Sequence, residues 1–293
     1  MHHDLENSGV SIGSIAVAVP TFGRETLARA IRSVVAQTIK PAVILITKDG
    51  TFELDGEAQA AIAQARSNGI EVLTLENGKV GVQRARNAAI HATSCHFITF
   101  LDDDDEFLPD RLELFSNSWD SSISLLFSDD VSVNERGRRV KSAHPPVVDE
   151  KMIYLDNYIG NQAFTLTARL IGVGGYDVSL PAAQDYDLWI RLIRRYGAAR
   201  RVDGATIIRY LGSDSITRDT KRRGTGYRRN YFKHRRQESR EIRAWKMLYL
   251  RCHLDRRLLP SLILAVLFGS LPVAIKKHAL LLTLGNLRRR FKS

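Results

Sequence analysis

The sequence predicts an α/β fold, a mixed and mostly parallel sheet flanked by helices, followed by a basic, apolar, helical C-terminal tail. Three observations carry that expectation. Short apolar runs alternate with helix-periodic segments through the first 110 residues. One of those runs ends in four consecutive carboxylates, Asp102 to Asp105. The charge is also divided. Residues 216–293 hold 21 Lys and Arg against four Asp and Glu, a net of +17, which leaves −6 on residues 1–215. A domain boundary is expected near Ser213 to Arg218.

Ser14 to Val19 (SIAVAV) reads as the first strand, and it ends in the loop PTFGRET, with a Thr to cap the next helix. Leu27 to Gln37 has apolar residues at helical spacing. Ala42 to Thr47 is a second strand, closed by Lys48, Asp49 and Gly50. A helix over Glu57 to Ser67 leads to a third strand, Ile70 to Leu75. A turn at Glu76 to Gly81 opens the helix Val82 to Ala92, and Phe97 to Leu101 is the fourth strand. This rhythm is that of βαβ units, whose right-handed crossovers put the strand ends along one edge. Leu125 to Val133 reads as strand and residues 134–150 as loop. In IGNQAFTLTARLIGVGGYD a strand precedes a Gly-rich turn, and QDYDLWIRLIRRYG is an amphipathic helix.

Length allows one large domain with an appendage, or two small ones. Cys95 and Cys252 stand far apart in no metal-ligand spacing, which fits two unpaired thiols in a reducing compartment. The polar opening MHHDLENSGV carries no secretory signal, and His2 and His3 read as a disordered start. PTFGRET is no Gly-rich dinucleotide fingerprint, which argues against a nicotinamide enzyme.

Four adjacent carboxylates at a strand end repel one another unless cations or donors neutralise them. Hard divalent ions with oxygen ligands do this best, and ligands of open α/β sheets bind beyond the carboxyl ends of strands. Asp102 to Asp105 therefore predict a Mg²⁺ or Mn²⁺ site holding a phosphorylated ligand. The plainer alternative makes Asp105 a helix cap for EFLPDRLELF.

Five segments, in order over residues 14–212, together resemble the family 2 inverting glycosyltransferases of GT-A type Rossmann-like fold: SIAVAVPTFGRETLARAIRSVVAQT, ITKDG, ENGKVGVQRARNAAI, FITFLDDDDEFLPDRL and GGYDVSLPAAQDYDLWIRL. The resemblance implies a metal-dependent transfer of a sugar from a nucleotide-diphosphate donor, a UDP-sugar favoured, to an acceptor hydroxyl. It implies that Asp104 ligates the metal directly, while Asp102 meets ribose or a metal-bound water; Asp103 or Asp105 could substitute in a run of four. Pro20 and Thr21 would lie under the base and Asp49 would read it, with Glu25 capping the helix instead. Lys48 stands where the family commonly has a second acidic residue, which leaves the base open. Arg86 would orient a carboxylate or phosphate, with Asn87 beside it. Arg84, two residues away on the helix, points elsewhere. Asp185 matches the family's catalytic base, with Gln184 replacing the usual Glu and Asp187 as fallback. Trp189 is expected in the core, and Gly174 and Gly175 in a tight turn facing the sugar.

In the tail, residues 258–275 run 18 residues without a charge between Arg256-Arg257 and Lys276-Lys277. Pro260, Pro272 and the flanking positive charges favour an interfacial helix pair on an anionic leaflet over a span or packing onto the body. The expected place is cytoplasmic and peripheral, on the inner face of the plasma membrane, with a lipid-linked or cell-surface polysaccharide acceptor and no nucleic-acid partner. A homo-oligomer is left open. Two competitors remain: a nucleic-acid binder using the basic, aromatic tail, and a catalytically inactive relative that recruits a partner.

Overall fold

A computed structural model describes residues 15–76, 81–134, 137, 139–142, 144–161, 163–211, 220–240, 242, 243 and 246. The chain divides into two compact units, Met1–Gly226 and Tyr227–Ser293. The first contains one sheet of the order β3-β2-β1-β4-β9-β6-β10-β5. Its parallel half is built from β1 (Ile15–Thr21), β2 (Val43–Lys48), β3 (Glu71–Glu76) and β4 (Phe97–Phe100). The helices α1 (Leu27–Val35), α2 (Gly56–Ser67) and α3 (Val82–Ala92) make the crossovers. β1, β2 and β4 are buried along their whole length, which is why they read as continuous apolar runs rather than alternating ones.

β1 pairs β2 on one side and β4 on the other, so the winding reverses there, and the ends of β1 and β4 mark the switch point beyond which open α/β sheets bind ligands. Thr21 ends β1, and Asp102 follows β4 by two residues. The short β5 (Glu106–Phe107) and α4 (Arg111–Asn117) lie just beyond. Asp110, not Asp105, stands at the N-cap of α4, so the capping role for Asp105 does not hold. Thr26 is the N-cap of α1 but makes no side-chain cap bond, and Glu25 is exposed.

The other half is mixed. It comprises β6 (Leu126–Asn134), β7 (Arg139–Ser142), β8 (Val147–Val148), β9 (Phe164–Leu166) and β10 (Ala199–Leu211), with α5 (Glu150–Leu155), α6 (Thr167–Gly172) and α7 (Gln184–Tyr196). Residues 134–150 are thus not simply loop. β7 pairs antiparallel with β6, and β8 with β10. β10, which no sequence signal marked, pairs parallel with β6 and antiparallel with β5. Phe97 stacks on Phe164 at 4.8 Å, with Trp119 edge-on, and joins the two halves of the core. α8 (Thr220–His234) follows. In the second unit, Lys246 and Glu238 form a buried pair at 2.6 Å.

Candidate active site

Asp102, Asp104 and Asp105 each place one carboxylate oxygen within 4.8 Å of the others. That is a hard, all-oxygen donor set on one side, and it suits Mg²⁺ or Mn²⁺. Asp103 turns the other way. It is 2% exposed, accepts from Thr21 Oγ1 at 2.7 Å and from the Phe22 amide at 3.2 Å, and pairs with Arg24 at 2.9 Å. It therefore ties the end of β1 to the end of β4 rather than joining the cluster. The run makes a tight turn, the Asp105 amide donating to the Asp102 carbonyl at 3.1 Å, and that turn carries the Asp103 carboxylate away from the other three.

The electrostatics follow from that crowding. Burial first, then the charges of Asp102 and Asp104, push the Asp105 carboxyl up to about 7. Burial and then Asp102 raise Asp104, against the pull of Arg24. Burial raises Asp103 too, against Thr21 and Arg24. Arg24 Nη1 bridges Asp103 and Asp104 at 2.9 and 2.7 Å. The Tyr210 amide holds Asp105 Oδ1 at 3.1 Å. Arg29 donates to the Asp104 carbonyl at 2.7 Å and pairs with Glu106 at 3.0 Å.

Arg86, on the buried side of α3, connects the cluster to a distant part of the chain. Its side chain is 4% exposed, and it reaches Asp102 at 2.7 Å and Asp185 at 2.8 Å. Burial disfavours its charge, but the two carboxylates more than offset this and raise its pKa above the ordinary arginine value. Arg84 is exposed, as the helical spacing requires. Asn161 donates to the second oxygen of Asp102.

Asp185 lies in the first turn of α7, where the helix dipole favours an anion. The preceding Ala183 has φ 59°, a left-handed backbone that turns the chain into the helix. Burial pushes the Asp185 carboxyl up to about 6 despite Arg86. Asp187 is wholly buried and bound by Arg191 at 2.7 Å, which leaves Asp185 as the carboxylate beside the cluster. Trp189 is fully buried, with its indole NH on the Gly160 carbonyl at 2.7 Å.

Asn87 donates to the Tyr176 carbonyl and accepts the Tyr176 amide, at 2.9 and 2.8 Å, and so anchors the Gly174-Gly175 turn. Pro20 is buried in β1. Asp49 follows β2 and its Oδ1 accepts the Gly81 amide at 3.0 Å. Lys48 pairs with Glu76, its partner in the β2–β3 register, at 2.7 Å. An acidic neighbour for Lys48 is thus supplied from β3.

Arg24 and Asn161 were not singled out in the sequence. Arg24 lies three residues past Thr21 in a loop already marked as a ligand loop, so its position was readable. Nothing local to Asn161 points to Asp102, which is 59 residues away in the chain.

A sequence model described as Glycosyl transferase family 2 matches residues 16–169. The Escherichia coli (strain K12) protein WcaA, named for glycosyl transfer in colanic acid biosynthesis, is 29% identical over 246 residues, 80% of this chain and 86% of WcaA. The Escherichia coli protein WfgD, named as a UDP-Glc:alpha-D-GlcNAc-diphosphoundecaprenol beta-1,3-glucosyltransferase, is 24% identical over 61% of this chain and 70% of its own length. Other relatives are longer: the chain spans 31% of the Rickettsia conorii glycosyltransferase RC0461, at 25% identity. Among solved structures, the mannosyltransferase PcManGT of Pyrobaculum calidifontis, in complex with GDP-Man and Mn²⁺, superimposes with a TM-score of 0.61 at 16% identity, over 94% of this chain and 80% of that one. That likeness is one of fold.

Proposed function

Because this chain belongs to glycosyl transferase family 2, we propose that it moves a sugar, with inversion, from a nucleotide-diphosphate donor to a hydroxyl of a lipid-linked or surface-polysaccharide acceptor. One observation carries the reading: a single guanidinium, Arg86, holds Asp185 and Asp102 together, so a candidate base stands beside a candidate cation site. Asp102, Asp104 and Asp105 would hold Mg²⁺ or Mn²⁺, Asp104 being the favoured direct ligand. Such an ion supplies Lewis acidity that offsets charge on a departing diphosphate.

The chain's own residues do the rest. Asp185 accepts the proton of the acceptor hydroxyl as its oxygen bonds to the anomeric carbon, and the bond from that carbon to the diphosphate breaks on the opposite face. Arg86 fixes the Asp185 carboxylate and keeps it ionised at neutral pH. The end of β1, Pro20 and Thr21, and Asp49 after β2 form the floor for the nucleotide, with UDP favoured. Thr21 and Asp103 act there as one hydrogen-bonded unit. WfgD's name, with its UDP-Glc donor and diphosphoundecaprenol-linked acceptor, supports both the donor preference and the acceptor class.

Among the described residues, no helix is long and apolar enough to cross a membrane. The uncharged run at 258–275 lies outside them. The net +17 of residues 216–293 supports peripheral association with an anionic leaflet on the cytoplasmic side. The test is Asp185→Asn. It abolishes transfer while nucleotide affinity stays near wild type; a variant that still transfers sugar removes Asp185 as the base.

A further inference from the structure

Four arginines surround the acidic cluster, and three are committed. Arg24 bridges Asp103 and Asp104, Arg29 pairs with Glu106, and Arg86 spans Asp102 and Asp185. The fourth, Arg209 on β10, is half-buried, and its guanidinium makes no ion pair or hydrogen bond among the described residues. A partly exposed guanidinium with five donors and no protein acceptor is available to an anion that enters the site.

Its position says which anion. The next residue, Tyr210, holds Asp105 through its amide. Arg209 is in register with Ser132 of β6, whose hydroxyl donates to Asp130 at 2.9 Å. Paired residues share a face of the sheet, and so do residues two apart, which puts Arg209 on the face of Asp130. The charge of Arg209 also bears on Asp105, Asp130 and Asp185. With the Tyr210 amide on Asp105 and Asp130 on the same face, it stands beside the cation site, and its charge reaches the candidate base. In an in-line transfer that region holds the anomeric carbon and the phosphate attached to it.

We propose that Arg209 binds the sugar-bearing β-phosphate of the donor and stabilises the diphosphate as it leaves. This rests on the glycosyltransferase reading above and adds a phosphate-binding residue to it. The guanidinium fork matches two phosphate oxygens, a geometry a lysine cannot reproduce. The sugar–phosphate bond breaks heterolytically, its electron pair stays on the β-phosphate oxygen, and Arg209 meets that growing charge without transferring a proton.

The experiment compares UDP with UMP, and GDP with GMP, on the full chain in Mn²⁺ by calorimetry. Arg209→Met weakens diphosphate binding about 10- to 100-fold and leaves monophosphate binding within about twofold. Arg209→Lys recovers part of the loss, and both variants melt as cooperatively as the parent. Equal affinity of parent and Arg209→Met for the diphosphate, or equal losses for diphosphate and monophosphate, overturns the role. A parent protein that binds none of these nucleotides removes the functional reading and this inference with it.

Discussion

Asp185 shows how one carboxylate is tuned by opposing neighbours. Burial favours its neutral form, while Arg86 at 2.8 Å and the start of α7 favour the charged one. The balance stands at about 6. A base must be deprotonated to act, so the transfer rate falls as pH drops through about 6 and is flat above it until other groups titrate. The stability sign is opposite. The folded carboxyl titrates above the ordinary aspartate value of about 3.9, so between about pH 4 and 6 the native state binds more protons than the unfolded chain. This group's contribution to stability is present below about pH 4 and is lost as pH rises through 6. A pH–rate profile on saturating donor checks the first point; a rate unchanged between pH 7 and 5 contradicts it.

At the scale of elements, the turn between α6 and α7 sets the site. Gly175 has φ 63°, and a Cβ there would lie 2.5 Å from Asn87 Oδ1. Asn87 could yield only by giving up its two bonds to Tyr176, whose ring lies 5.4 Å from the Arg86 guanidinium. Gly175→Ala therefore costs about 1–3 kcal/mol and lowers the rate through Arg86. Gly174→Ala meets no atom within 4 Å and carries only its backbone strain at φ 82°. Denaturant unfolding of both variants separates the effects.

The same scale explains what could be read from the sequence. The parallel half was legible because β1, β2 and β4 are buried on both faces and their crossover helices are periodic. Asp102 to Asp105 stood out as carboxylates at a strand end and Asp185 through a family resemblance, whereas the inward turn of Asp103 depended on the Thr21 hydroxyl and Arg24. β7 and β8 have two to four residues each and owe their pairing to β6 and β10. Such edges are fixed by partners rather than by their own propensity. β10 begins Ala-Arg-Arg and contains Asp203-Gly204, so its alternation is broken, and its register shifts twice against β6.

Over the whole molecule, the two charge signs separate along the chain: −6 through residue 215 and +17 beyond it. On α8, within the second unit, the described exposed positions include Arg228, Arg229 and Phe232, the last 56% exposed. A cationic, aromatic surface of this kind is drawn to anionic lipid, and salt screens it over about 8–10 Å. The full chain is expected to co-sediment with phosphatidylserine-containing vesicles at low salt, to release at about 0.5 M NaCl, and to ignore pure phosphatidylcholine. Equal binding to both vesicle types would take the anionic surface out of the account.

The acidic cluster is the point on which the chemistry turns, and a Mn²⁺ titration with UDP or GDP present tests it most directly. The prediction is one Mn²⁺ site per chain, tightened by the diphosphate, abolished in Asp104→Asn and weakened in Asp102→Asn, with transfer lost in EDTA and restored by the ion. Transfer that survives chelation, or an Asp104→Asn protein that binds Mn²⁺ as the parent does, contradicts it.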